Sequence, residues 1–81
     1  MQQESMPTRP LSEAPVGSKV RLVAIDGNKQ LARRLLSLGL SVGSEVQILN
    51  RRGRGVVVAR QGNRVALGKG VAEKLQAELV D

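Results

Sequence analysis

The sequence predicts a small, mainly β domain: a barrel of about five short strands, with a short helix inserted after the first strand and a helical turn before the last. Three observations support this class. Short valine-rich segments alternate with glycine-containing turns, which is typical of strands. A leucine-rich helical segment ends at Gly39 and turns through Gly43 into another strand. The chain has 81 residues, enough for one small domain.

The first ten residues are polar and contain two prolines. This composition predicts a flexible leader over residues 1–10 and a folded domain over residues 11–81. No apolar segment near the start resembles a secretory signal, and none approaches the length of a membrane span. We therefore expect a cytoplasmic protein.

The first strand is predicted over residues 19–25. Val20 and Leu22 share one of its faces, whereas Val23 and Ile25 fall on the other. Either both faces are covered or a bulge shifts the register.

The helix is predicted over residues 29–38. Leu31, Leu35 and Leu38 follow the helical period and form one narrow stripe that should face the barrel. Gly39 fits the left-handed position that ends many helices.

After the helix, the sequence predicts a strand over 45–50, a basic loop over 51–55 and a second strand over 55–60. A tight turn at 61–63 then leads into a strand over 64–67, which is followed by a helical turn over 71–75 and a closing strand over 76–80. Closing such short strands into a barrel hides the sheet edges. The strand number, the strand lengths and the tight hairpin favour an SH3-like barrel.

The chain contains no histidine, no cysteine and no aromatic residue, and its carboxylates are scattered. General acid–base and nucleophilic catalysis depend on such groups in close arrangement, and transition metals prefer histidine and cysteine ligands. The sequence therefore predicts no enzyme, no metal site and no cofactor.

The net charge of +6 is concentrated in residues 46–72, a segment without any acid. Its basic residues are Arg51, Arg52, Arg54, Arg60, Arg64 and Lys69. Such a field attracts acidic proteins, nucleic acid or anionic lipid. The alternative is a merely solubilising surface.

Two candidate surfaces for binding emerge. The Arg51–Arg54 cluster is typical of a loop that contacts phosphates. However, small barrels that bind single strands usually stack bases on aromatic side chains, and this chain has none. Nucleic-acid binding is therefore the alternative function and not the first one.

The second surface is on the helix. Leu36 lies about 100° off the leucine stripe, and Leu40 follows the helix end directly. Both could form an exposed apolar patch flanked by Arg33 and Arg34, a composition common at interfaces. Alternatively, both leucines pack under the turn at residues 41–44.

Two glycine-flanked basic segments, 53–55 and 68–70, look like fragments of phosphate-binding loops. Neither follows a strand and opens a long helix, as the established fingerprints require. Glycines at hairpin turns and bulges are the favoured interpretation.

The order of these features resembles the FeoA family, over about residues 11–80. The matching residues are Leu11, Val16-Gly17, Val20, Asp26-Gly27, Arg34-Leu35, Leu38-Gly39-Leu40, Val42-Gly43, Val46, Ile48, the valines of 56–58, Val65-Ala66-Leu67 and Ala72. The junction from Arg34 to Gly43 is the most specific part.

The resemblance implies a non-enzymatic accessory protein of bacterial ferrous iron uptake. Its partner would be FeoB, a membrane transporter of Fe²⁺ with a cytoplasmic GTP-binding domain, which would recruit it to the inner membrane. A related SH3-like domain forms part of some iron-dependent repressors. The predicted partner-binding residues are Arg33, Arg34, Leu36 and Leu40, with Arg51, Arg52 and Arg54.

Overall fold

The computed structural model describes residues 8–80, in which strands predominate. The elements in chain order are β1 (Arg9–Pro10), a 3-10 turn (Leu11–Glu13), β2 (Lys19–Ile25), α1 (Lys29–Ser37), β3 (Glu45–Arg52), β4 (Gly55–Arg60), β5 (Asn63–Leu67), α2 (Lys69–Ala72) and β6 (Leu75–Leu79). The predicted order of strands and helices is confirmed from β2 onward, and β1 is an additional strand.

The described strands form one antiparallel sheet in the order β1-β6-β2-β3-β4-β5. The sheet curls around its core, but β1 and β5 stand at the two ends of the order and do not pair with each other. The structure is therefore barrel-like without the full hydrogen-bonded closure that the sequence suggested.

The register of β2 shifts at a bulge. Leu22 is opposite Ala77 of β6, but Ala24 is opposite Gln76, so Val23 is the extra residue. This confirms the bulge as the explanation for apolar residues on both faces of the strand.

The core is made of small and medium aliphatic side chains from both halves of the chain. Its buried members are Leu11, Ala14, Val20, Leu22, Leu35, Leu40, Val46, Ile48, Val56, Val58, Leu67, Ala72, Leu75 and Ala77. Burial alternates along β3, where Val46 and Ile48 are buried and Glu45 and Gln47 are exposed. The period of two is that of a strand with one face on the core.

Helix α1 begins at Asn28, whose side chain accepts a hydrogen bond from the Leu31 N–H at 3.0 Å. Leu35 is fully buried, and Leu31 is half-buried. The predicted stripe is wrong at its third position, because Leu38 is 44% exposed. Leu38 is the residue after the helix ends, with ψ of 4°, so the helical period no longer sets its direction.

The end of α1 corrects the prediction for Leu40. Gly39 has φ of +83°, and its N–H donates to the Leu36 carbonyl while the Leu40 N–H donates to the Leu35 carbonyl, both at 2.9 Å. This pair of bonds is the Schellman arrangement, which places the second residue beyond the helix against its last turn. Leu40 is accordingly 1% exposed and belongs to the core, not to a surface patch.

Several boundaries differ from those predicted. Residues 1–7 of the predicted leader lie outside the described residues, whereas Arg9–Pro10 pair with β6. β3 continues to Arg52, so the predicted basic loop shrinks to residues 53 and 54. Both α2 and β6 begin earlier than predicted, at Lys69 and Leu75.

Candidate partner-binding surface

Arg51 is engaged within the fold. Its guanidinium donates to the Ser12 carbonyl oxygen at 2.7 Å and also to the Ala14 carbonyl. These bonds tie the end of β3 to the 3-10 turn and the residue that follows it. Arg51, although exposed, is therefore committed to the structure and differs from the two arginines beside it.

Arg52 and Arg54 are exposed and line one shallow concavity together with Lys69 of α2. The residues that line it, among those the structure describes, include none from α1. The predicted set of basic residues is thus divided between the hairpin that joins β3 to β4 and the helix α1.

The two arginines of α1 lie on different sides of the helix. Arg33 and Leu36 are three residues apart and share the outer face, where Leu36 is 62% exposed. Arg34 instead lines a small groove with Leu38, against Ala66 of β5 and Val71 of α2. Of the predicted surface, only Arg33 and Leu36 share one helix face.

Exposed apolar side chains are concentrated around the end of α1. In the described part of the chain the large exposed hydrophobic residues are Val16, Leu36, Leu38, Val42 and Leu79. Three of these five lie within residues 36–42. Sequence reasoning missed Leu38, which the periodicity assigned to the core, and Val42, which is 59% exposed in the turn after the helix.

The turn that carries Val42 is firmly held. The Gly43 N–H donates to the Leu22 carbonyl at 2.7 Å, and the Leu22 N–H donates to the Ser44 carbonyl at 2.9 Å. The buried Ser44 hydroxyl accepts the Ser41 N–H at 3.0 Å. Because these bonds fix the turn against β2, Val42 is exposed on an ordered segment, and a partner would not need to order it on binding.

The two arginines of α1 are not neutralised by ion pairs with other described residues. Both salt bridges within residues 8–80 belong to Arg21, which contacts Glu45 at 3.2 Å and Glu78 at 2.9 Å. The hydrogen bond to Glu45, followed by that to Glu78, raises the pKa of Arg21. Arg33 and Arg34 form no such bridge to any described residue, so their charges face solvent.

The described residues hold neither grouped metal ligands nor a membrane-spanning helix. Between residues 8 and 80, no three carboxylate, histidine or cysteine side chains are grouped as metal ligands would be. None of the described helices has the length and the apolar character of a membrane span.

Comparison with known proteins identifies the relatives of this chain. The FeoA domain family model matches residues 9–79. The chain is 30% identical over 69 residues to a protein of Methanocaldococcus jannaschii named Fe(2+) transport protein A, covering 85% of this chain and 84% of that one.

Solved structures show the same fold. An iron uptake regulatory protein, FeoA, is 32% identical with a TM-score of 0.83, covering 91% of this chain and all of that one. A manganese-dependent transcriptional repressor has a TM-score of 0.83 at 27% identity, but this chain matches only 45% of its length. A FeoA-like protein from Clostridium acetobutylicum, at 20% identity and a TM-score of 0.79, shares the fold. The predicted SH3-like class is confirmed.

Proposed function

Since the chain belongs to the FeoA domain family, we propose that it is a non-enzymatic, cytoplasmic accessory protein of ferrous iron uptake. In this role it docks onto a FeoB-like membrane transporter. Fe²⁺ is then the cargo of the transporter, and the role of this chain is to assemble or regulate it. Recruitment to the membrane would occur through the transporter and not through a membrane span of this chain.

The observation that carries the proposal is the concentration of exposed apolar side chains in residues 36–42, at the end of α1 and just after it. Leu36, Leu38 and Val42 are all exposed, although the domain is small and most of its aliphatic side chains are buried in the core or packed against it. Exposed apolar side chains concentrated in one short, ordered segment are typical of a protein interface. We define Leu36, Leu38 and Val42, with Arg33 on the outer face of the helix and Arg34 in the groove beside Leu38, as the α1 docking surface.

The charge of α1 indicates the chemistry of the partner. The helix carries Lys29, Arg33 and Arg34 and no acidic residue. A matching surface on the transporter would combine acidic side chains with an apolar centre that accepts Leu36. Charge complementarity of this kind directs association, whereas the buried leucine supplies most of the affinity.

Two of the residues predicted for partner binding are excluded from this surface. Leu40 is in the core, and Arg51 is bonded to the carbonyls of the 3-10 turn. Arg52 and Arg54 remain exposed on the hairpin and form a separate region.

Co-purification tests the proposal. The tagged full chain is incubated with membranes that contain the FeoB-like transporter of the same organism, with and without guanine nucleotide. We expect retention of the transporter by the wild-type chain, with a loss of about tenfold in affinity for Leu36→Ala and for Arg33→Glu, since a central interface residue commonly contributes over about 1 kcal/mol. Leu79→Ala is the matched control, because Leu79 is an exposed leucine of β6.

The outcomes separate the alternatives. If the wild-type chain retains no transporter, or if Leu79→Ala weakens retention as much as Leu36→Ala, docking through the α1 docking surface is wrong. Tight binding of single- or double-stranded oligonucleotides at physiological salt, without sequence preference, would instead support the nucleic-acid alternative.

A further inference from the structure

The two glycine-flanked basic segments are adjacent in space. A Cβ placed on Gly55 would lie 3.4 Å from the Gly68 Cα and 2.7 Å from the Leu67 carbonyl oxygen. The backbones of β4 and of the segment that leads into α2 therefore touch, because Gly55 has no side chain. Arg54 and Lys69, the central residues of the two segments, consequently face the same region.

That region is a concavity of about 300 Å³ lined by three cationic side chains, Arg52, Arg54 and Lys69. Its lining, within the described part of the chain, contains no acidic residue. Its floor includes Val57, which is half-buried, and Ala66, which is exposed. The site thus combines three positive charges with a small apolar floor.

The hairpin that carries two of these cations has a defined geometry. Arg52 is paired with Gly55 across the ladder of β3 and β4, and Gly53 adopts φ of +58° in the turn between them. The bonds from Arg51 to the 3-10 turn hold the end of β3 from the other side. The positions of the Arg52 and Arg54 backbones are therefore fixed before any ligand arrives.

Arg54 also borders a second concavity that contains Glu13 and Glu73. The two salt bridges among the described residues both belong to Arg21, with Glu45 and Glu78 as its partners. Neither Glu13 nor Glu73 therefore forms a salt bridge with a described basic side chain. The charge of Arg54 is accordingly not neutralised from that side.

Three cations around one concavity exceed what a single carboxylate can neutralise. Phosphate carries up to two charges and three acceptor oxygens, and the arginine fork bonds it in a bidentate manner. We propose that this concavity binds a phosphate ester, with Arg52, Arg54 and Lys69 on the phosphate oxygens and the organic group over Val57 and Ala66. This site contains no residue of the α1 docking surface, although Ala66 also borders the groove that Arg34 and Leu38 line, and the proposal does not depend on docking.

The test uses the full chain labelled with ¹⁵N and titrated with phenyl phosphate or inorganic phosphate, with sodium chloride keeping the ionic strength constant. We expect saturable amide shifts confined to residues 52–55 and 66–70, with tighter binding of phenyl phosphate because its ring covers the apolar floor. Vesicles containing phosphatidic acid, compared with phosphatidylcholine vesicles, distinguish a lipid source of the phosphate from a soluble one.

Charge-removing variants complete the test. The double change Arg54→Gln with Lys69→Gln should weaken binding of phenyl phosphate by about tenfold or more, because charge-assisted hydrogen bonds are lost. Arg52→Gln should weaken it as well. Arg64→Gln is the matched control, since Arg64 is an exposed arginine that does not line the concavity.

Because the substituted side chains are on the surface, the amide spectra of the variants should retain the native dispersion. Shifts that do not saturate, shifts spread to Arg33 on the outer face of α1, or equal weakening by Arg64→Gln would overturn the site, since each indicates attraction by the net charge alone.

Discussion

Leu36 and Leu40 have the same side chain and lie four positions apart, yet their environments are opposite. Leu36 is 62% exposed and Leu40 is 1% exposed. We expect Leu40→Ala to lower the free energy of unfolding by about 2–5 kcal/mol, as large-to-small changes in a core do. Leu36→Ala should change it by less than about 0.5 kcal/mol.

Urea denaturation followed by circular dichroism measures both variants, since the chain has no aromatic chromophore. A cost for Leu36→Ala comparable to that of Leu40→Ala would show that Leu36 packs in the core, and the α1 docking surface would lose its central residue.

The position of Leu40 could have been derived from the sequence. Gly39 was predicted as the left-handed residue after the helix, and the Schellman arrangement that follows from it brings the next residue against the last turn. Extending the helical period to Leu38 was the error. By contrast, no local pattern indicates that Arg51 donates hydrogen bonds to the carbonyls of Ser12 and Ala14, which precede it by 39 and 37 residues. That contact exists only after the chain has folded.

Gly55 is constrained by its neighbours and not by its dihedral angles. A Cβ there would lie 2.7 Å from the Leu67 carbonyl oxygen, whereas a Cβ on Gly68 would meet nothing within 4 Å. We expect Gly55→Ala to cost about 1–3 kcal/mol, since the backbone of β5 must move. Gly68→Ala is the control and should cost far less. Equal denaturation midpoints for the two variants would contradict this account.

Among the elements, the contact between β3 and the 3-10 turn depends on one side chain. Arg51→Gln removes both bonds to the Ser12 and Ala14 carbonyls. We expect a loss of about 1 kcal/mol in stability, an ordinary value for surface hydrogen bonds, together with faster amide hydrogen exchange in residues 11–14. The neighbouring change Arg52→Gln should leave that exchange unaltered. Unchanged exchange in Arg51→Gln would mean that the turn is held by its apolar contacts alone.

The longer elements were predictable because each has a strong local pattern. Short stretches of valine, isoleucine, leucine and alanine indicate β2, β3, β4 and β5, and the glycines mark their ends. The two-residue strand β1 was not predictable, since Pro10 weakens any strand pattern and the pairing with β6 joins residues far apart in sequence. Proline is acceptable there because β1 lies at the edge of the sheet.

For the whole molecule, the net charge of +6 should govern the rate at which an acidic partner is found. The Debye length falls from about 30 Å at 0.01 M salt to about 3 Å at 1 M. We therefore expect the association rate with the transporter to fall by about tenfold or more over this range, while the dissociation rate changes less. Surface plasmon resonance measures both rates. A salt effect carried mainly by dissociation would contradict electrostatic steering.

The place of β6 in the sheet has a consequence for how the protein is made. β6 lies between β1 and β2, so the strand synthesised last is inserted between two of the earliest segments. It also brings Leu75 and Ala77 into the core. Until the ribosome has added Leu79, one edge of β2 has no partner and the core is incomplete. The core of this domain is therefore completed only once β6 has been synthesised, and the apolar strands that precede it are incompletely covered until then.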